Sequence, residues 1–287
     1  MGSGGGRPHD DIVPGRIRRL TPLALTLAIG LSVAGLSAGP TSAAGPAAFD
    51  LPTLAQARAD LARLINDQRV VRGLVALQVD TKATAMAVTR AEAMASMDAL
   101  GHAGTDGRTT FDTIRASGMT WFAAGEVLAF NTVPGEPEST SRAVTDWLAS
   151  PEHVSIVLSA GYNYVGFGAA VSATGNRYYA GLFLKLPDET AGWAKLGSPS
   201  VSVLDASKSR VTVRWTGGDT RLQVLTAGLR DYEVQRRVAG GAWLSAGFTT
   251  RTSLLMTLAR GRTWELRVRS RDRAGHRSTW STVSVRT

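Results

Sequence analysis

The sign of the charge changes part-way along this chain, and one compact domain does not account for that. Of the 287 residues, 45–199 carry 12 Lys+Arg against 15 Asp+Glu, a net of −3, whereas 200–287 carry 16 against 6, a net of +10. So abrupt a shift marks a domain boundary, and the length suffices for two ordinary domains. The stretch "LPDETAGWAKLGSPS" (186–200) has the polar, Gly- and Pro-containing character of a linker, placed at 188–200. With 44% hydrophobic and 19% charged residues the chain is globular in composition, not disordered.

The N-terminus has the layout of a targeting segment. Arg16, Arg18 and Arg19 precede a mostly apolar run, Leu20 to Leu36, followed by the small residues "AGPTSAAG". Charged region, apolar region and small-residue site predict a signal peptide over 1–44, cut after Ala43 or Ala44, and then a linker at 45–52. A retained membrane anchor is the alternative reading of the same run. The chain has no cysteine, which excludes thiol catalysis and cysteine-ligated zinc. An exported chain of this size without disulfides fits a bacterial source.

Periodicity separates the two halves further. Leu54, Leu61, Leu64 and Ile65 follow helical spacing to about Arg72-Gly73. Asp80 is placed to cap a second helix that turns Met86, Met94, Met97 and Leu100 toward a core, and a third helical pattern runs from Ser139 to Ala149. "YNYVGFGAAV" and "RYYAGLFLKL", separated by "SATGN", predict a hairpin. The second half is strand and turn throughout, with clear alternation in Val211/Val213/Trp215 and Trp264/Leu266/Val268. Roughly seven short strands, counting "RLQVLTAG" as a weak one, predict a β-sandwich.

Five segments of the first half occur in a characteristic order: "INDQRVVRGLVALQVD", "GHAG" (101–104), "AGEVLAF" (124–130), "WLASPEH" (147–153) and "VGFGAAV". In that order they resemble the bacterial branch of the CAP superfamily (cysteine-rich secretory, antigen 5 and pathogenesis-related proteins; the SCP domain), over residues 53–187. The resemblance implies an α-β-α sandwich with a cleft where two histidines and two glutamates can hold a divalent metal. Carried over by position, His102 matches the first histidine, Glu126 the glutamate of "GEN", and His153 the second histidine. Val127 replaces the asparagine of "GEN", and Ser150 replaces the second glutamate. His102, Glu126 and His153 would then be the cleft, ligand-binding or zinc-type metal set, with Ser150 beside them.

The same cluster can equally be a hydrogen-bonded network that orients loops. A Ser150–His153–Glu126 triad is disfavoured, because an N-cap serine directs its oxygen at the helix end. Asn66 and Arg69 match the family's helix-one pair and are expected to tie that helix to loops, and Trp147 is expected in the core. Thr105-Asp106-Gly107 reads as a turn.

Residues 201–287 resemble a fibronectin type III domain, an immunoglobulin-like sandwich, through Trp215, "LRDYEVQRR" and "GRTWELRVRSRDRAGHRSTWS". Trp264 stands where that family usually has a corner tyrosine. The fold class expected for the whole chain is therefore α+β, an α-β-α domain followed by an all-β one. Arg267, Arg269 and Arg271 alternate along one strand and project from one face about 7 Å apart, with Arg237 joining from a neighbour. A net of +10 exceeds what solubility needs, roughly 2–8. These four arginines are therefore expected to tether the protein to an anionic wall polymer, extracellular polysaccharide or lipid headgroup. Nucleic acid is a poor partner for an exported protein. The sequence supports a secreted, wall-associated binding module for a lipid, small apolar ligand or metal. The alternative is a metal-assisted hydrolase, peptidase or esterase, using His102, Glu126 and His153.

Overall fold

The computed structural model describes residues 51–287. The expected signal peptide (1–44) and nearly all of the 45–52 linker lie outside the described residues. Helix α1 (Leu51–Val71) leads to a short strand β1 (Gln78–Val79) and then to α2 (Thr81–Met97). Asp80 caps α2 as expected, its side chain accepting from the Ala83 N–H at 2.7 Å. The helix ends on Asp98, a left-handed residue with φ 47°. Leu100 lies beyond that stop and is exposed, so the apolar stripe closes at Met94 and Ala95. Then follow α3 (Thr110–Ala116), β2 (Ala123–Asn131), α4 (Glu138–Ala149), α5 (Pro151–Val157), β3 (Tyr164–Val171) and β4 (Arg177–Lys185).

The four strands form one sheet in the order β1-β3-β4-β2, with β1–β3 parallel and the other pairs antiparallel. Successive side chains of a strand point to opposite faces, so β2 divides its residues between two cores. Val127 and Ala129 join Leu61, Ile65, Trp147, Val157 and Phe183 beneath α1, α4 and α5. Leu128 joins Ala87, Met94, Ile114 and Leu182 beneath α2 and α3. The result is three layers, α-β-α. Close approach of α2 explains the "GFG" of β3: a Cβ on Gly166 would lie 2.2 Å from the Ala83 carbonyl carbon, and one on Gly168 1.9 Å from the Ala87 oxygen. Any side chain there would push α2 off the sheet.

Asn66 and Arg69 lock α1 to the loops, as expected. The Asn66 amide brackets Leu77, donating to its carbonyl at 3.0 Å and accepting from its N–H at 2.8 Å. Arg69 is fully buried and donates to the carbonyls of Val157 (2.8 Å) and Ser159 (2.9 Å). Burial lowers its pKa to about 10, which still leaves it cationic at neutral pH.

From residue 193 the described chain forms eight strands: β5 (Trp193–Leu196), β6 (Ser200–Val203), β7 (Lys208–Gly218), β8 (Leu229–Val238), β9 (Leu244–Thr249), β10 (Ser253–Ala259), β11 (Thr263–Asp272) and β12 (Ser281–Arg286). One sheet has β10 on one edge of β7, with β5 and β6 succeeding each other along the other edge. The second sheet runs β12-β11-β8-β9. Val211, Val213, Trp215, Tyr232, Val234, Leu266 and Val268 fill the space between them, so this half is a two-sheet sandwich. The indole N–H of Trp264 bonds back to the Ala259 carbonyl at 3.1 Å.

Two expectations are corrected here. The 188–200 segment is not a free linker. Leu186 and Asp188 are buried, and Trp193–Leu196 is strand β5, paired with β7. Nor is "RLQVLTAG" a strand: its apolar residues serve the junction between the two halves. Leu222 is only 3% exposed and completes the α2-side core of the first domain. Gln223 accepts from the Val75 N–H at 2.6 Å, Asn163 donates to the Val224 carbonyl at 3.1 Å, and Asp188 accepts from the Ala227 N–H at 2.7 Å. Periodicity reported burial correctly and the wrong partner.

Candidate functional site

Glu126 sits on β2 with its neighbours of like parity, so its carboxylate points into the α2/α3 layer and is 3% exposed. His102 follows α2 in a loop pinned by a bridge between Ala103 and Thr109 and turned at Gly107 (φ 75°). Its Nδ1 lies 2.6 Å from Glu126 Oε2. A carboxylate only accepts, so Nδ1 carries the hydrogen, and in the neutral ring Nε2 is the nitrogen with the lone pair. The imidazole itself is 63% exposed.

The other carboxylate oxygen, Oε1, is also engaged. Thr110, the first residue of α3, donates its hydroxyl to it. Arg90 on α2 approaches it with Nε at 3.6 Å and donates to Thr110 Oγ1 at 3.1 Å. Arg90 and Glu126 are both buried, and such a pair endures only when further hydrogen bonds satisfy its remaining atoms. Arg90 Nη2 donates to the Arg108 carbonyl at 3.1 Å, but Nη1 is buried without a partner among the described residues. That nitrogen lies 3.8 Å from where a Cβ on Gly104 would be. Arg90, Thr110, Gly104, Arg108, Met86 and Thr113 are among the residues lining a cavity of about 230 Å³ on that side.

Arg90 and Thr110 were missed in the sequence. A signal was present for Arg90: it falls on the buried stripe of α2 with Ala83, Ala87, Ala91 and Met94. An arginine at such a position requires a buried partner, and the expected Glu126 supplied one.

His153 does not join the pair. Its helix, α5, packs Ile156 and Val157 into the opposite core, beneath α1 and α4. Its Nδ1 is buried without a partner. Ser150 caps α5, accepting from the His153 N–H and donating to Glu152 Oε2 at 2.9 Å. The hydroxyl therefore faces the helix end and its own turn.

Among the described residues, three or more acidic or histidine groups come within mutual ligand distance at one place only, Asp188, Asp219 and Asp272, and none of the expected metal ligands is there. Both oxygens of Glu126 are occupied by protein donors and a guanidinium stands beside them. A divalent ion on His102, Glu126 and His153 does not fit this arrangement. The three aspartates lie at the junction and already accept backbone N–H groups from Ala227, Gly228, Gly275 and His276. Burial, and then repulsion from Asp188 and Asp272, raises the Asp219 carboxyl above the usual range.

The four expected tether arginines share one face, and every one of them is engaged by its cross-strand neighbour. Arg237 pairs with Glu265 opposite it, Arg269 with Glu233 (2.7 Å) and Arg271 with Asp231 (2.7 Å), while Arg267 donates to Gln235 at 2.6 Å. Aromatic rings interleave them. Trp243 lies between Arg237 and Arg267, Trp280 between Arg267 and Arg269, and Phe248 against Arg271, each guanidinium 3.9–4.3 Å from a ring centre. This is a stacked ladder internal to the domain, and its charge is largely compensated.

The sequence model of the Cysteine-rich secretory protein family (CAP) matches residues 62–183. No curated protein sequence matches the chain. Among solved structures, similar ones include an outer surface protein from Borrelia burgdorferi, 20% identical with a TM-score of 0.40, covering 45% of this chain and 91% of that one. An extracellular SCP-domain protein from Bacillus anthracis is 19% identical (TM-score 0.40; 46% of this chain and 41% of that one). A cysteine-rich secretory protein from Staphylococcus aureus is 17% identical (TM-score 0.37; 47% and 40%). The chain thus spans about two fifths of the length of the last two. No described helix is long and apolar enough to cross a membrane.

Proposed function

We propose that the protein, whose residues 62–183 match the CAP family model, is an extracellular bacterial binding module. The CAP cleft recognises a small ligand, and the basic C-terminal sandwich, of fibronectin type III character, holds it to an anionic surface. One observation carries the first part. Glu126 is fully engaged by His102, Thr110 and Arg90, while Arg90 Nη1 is a buried donor left over beside a cavity. A buried cation with a free N–H recognises an acceptor group, and a carboxylate or phosphate would satisfy it with a charge-assisted bond. The rest of the cluster fixes the guanidinium in place. Export, by the N-terminal signal pattern, and the extracellular or surface nature of the similar bacterial proteins support the location.

A second reading rests on a different feature of the same pair. A histidine held by a carboxylate through Nδ1, with an exposed Nε2, has the form of a general base. It would take a proton from water attacking an ester or amide, while Glu126 holds the tautomer and steadies the imidazolium. No hydroxyl nucleophile contacts Nε2 among the described residues.

The two readings separate in one experiment on the full chain. Turnover of activated esters and short peptides is measured beside titration with acetate and butyrate, followed by the NMR signals of the Arg90 side chain. Recognition predicts saturable shifts at Arg90 and no turnover above buffer. Turnover that falls by about 100-fold or more in His102→Ala, the scale of a lost general base, would replace it with the hydrolase.

A further inference from the structure

Five of the domain's six acidic residues stand apart from its first sheet. Glu233, Asp231 and Glu265 are held by the arginine ladder, and Asp272 lies at the junction with Asp219. The sixth, Asp205, occupies the β6–β7 turn and accepts from Ser207 and Lys208. The outer face of the β10-β7-β5/β6 sheet is different in kind. Alternation along β7 turns Val211, Val213 and Trp215 inward and Lys208, Arg210, Thr212, Arg214 and Thr216 outward. The paired neighbours on that side are Ser253, Leu255 and Thr257 on β10, Ser200 and Ser202 on β6, and Lys195 on β5. Lys195, Lys208, Arg210 and Arg214 are exposed, and none of them is in a salt bridge among the described residues.

One end of this face carries an aromatic ring. Trp193 pairs with Gly218, and its Nε1 lies 3.9 Å from where a Cβ on Gly218 would point outward. The indole is 50% exposed. Beside Arg214 and Thr216 an open cleft of about 570 Å³ is bounded by Lys195–Gly197 on one side and Thr252–Ser253 on the other. From Trp193 to Lys208 the track runs the length of β7, Lys208–Gly218, roughly 33 Å. It offers cations for fixed negative charge, hydroxyls for hydrogen bonds to other hydroxyls, and a flat apolar ring.

We infer that this face, and not the arginine ladder, is a docking surface for an anionic polysaccharide. The inference rests on the proposed tethering role of the sandwich and assigns it to specific residues. A sugar chain bearing carboxylates or phosphates matches all three features: its anions meet Lys195, Arg214 and Arg210, its hydroxyls the Ser and Thr rows, and one ring stacks on Trp193. A lipid headgroup layer would leave the hydroxyl rows and the cleft without a role.

The test uses the full chain with polygalacturonate, neutral dextran, polyphosphate and phosphatidylglycerol vesicles. Wild type is expected to bind polygalacturonate, less tightly as salt rises, and not dextran. Lys195→Ser/Arg210→Ser/Arg214→Ser should weaken that binding by about tenfold or more, whereas Arg251→Ser/Arg260→Ser/Arg277→Ser, with the same change in net charge, should cost less than about threefold. Arg214→Ser alone, at roughly threefold, gives the same reading should the triple variant fail to fold. Trp193→Ala should weaken polygalacturonate and leave polyphosphate unchanged. Equal losses in the two triple variants would overturn the assignment of the face while leaving the tether intact. Binding to vesicles but not to polygalacturonate would overturn the choice of ligand. Failure of wild type to bind any anionic probe would overturn the tether itself.

Discussion

The two sheets of the C-terminal sandwich use arginine in opposite ways. On β11 and β8, Arg237, Arg267, Arg269 and Arg271 are stacked between rings and paired with residues directly across the strands. On β7, Arg210 and Arg214 stand among hydroxyls, with no carboxylate paired to them among the described residues. The residue type and the alternation are the same, and the placement of three acids decides which arginines hold the domain together and which are available to a partner. Net charge alone does not report availability.

Packing draws a similar distinction at the junction, and there the effects are largest. Leu222 belongs to the second half by sequence but fills the core of the first. Leu222→Ala should destabilise the first domain by about 2–5 kcal/mol, the usual cost of an aliphatic core truncation, read as a lower midpoint in urea. If the two halves were independent, only the sandwich would respond. Next in size is the ladder. Arg267→Ala removes contacts with Trp243 and Trp280 and the bond to Gln235. It should cost about 2 kcal/mol, whereas Arg210→Ala should stay within about 0.5 kcal/mol. Equal effects of the two variants would erase the contrast between the sheets.

A smaller effect comes from pH. The hydrogen bond and charge of Arg271 hold the Asp231 carboxyl below the usual carboxylate range. A carboxyl depressed in the folded state contributes stability above its unfolded value and loses it as pH falls through the folded value. Thermal melts between pH 5 and 2 should therefore drop less steeply in Asp231→Asn than in wild type. An unchanged slope would show that the ladder's ion pair is loose in solution.

Much of this organisation was legible in the residues. The α2 cap at Asp80, the hairpin around "SATGN" and the alternating strands of the sandwich follow from local spacing, and the meeting of His102 with Glu126 was implied by the family resemblance. What escaped depends on register and packing between distant segments. The partners of Arg269 and Arg271 are Glu233 and Asp231, more than 30 residues away, and only the β8–β11 register sets them opposite. Leu222 is buried and Val224 half-buried, so they alternate like a strand, and burial does not say against what. His153 lay at a motif position, yet α5 places it apart from the other two because Ile156 and Val157 are drawn to the opposite core. Arg90 was visible as a charge on an apolar stripe and needed only the carboxylate already in view.

The distinction between held and available arginines can be read on the unmodified protein. Limited reaction with phenylglyoxal, followed by mass spectrometric mapping, reports the accessibility and freedom of each guanidinium. Arg210 and Arg214 should be modified first, and Arg267, Arg269 and Arg271 should stay protected until the domain unfolds. Equal rates at the two sets, or faster reaction along the ladder, would contradict the account.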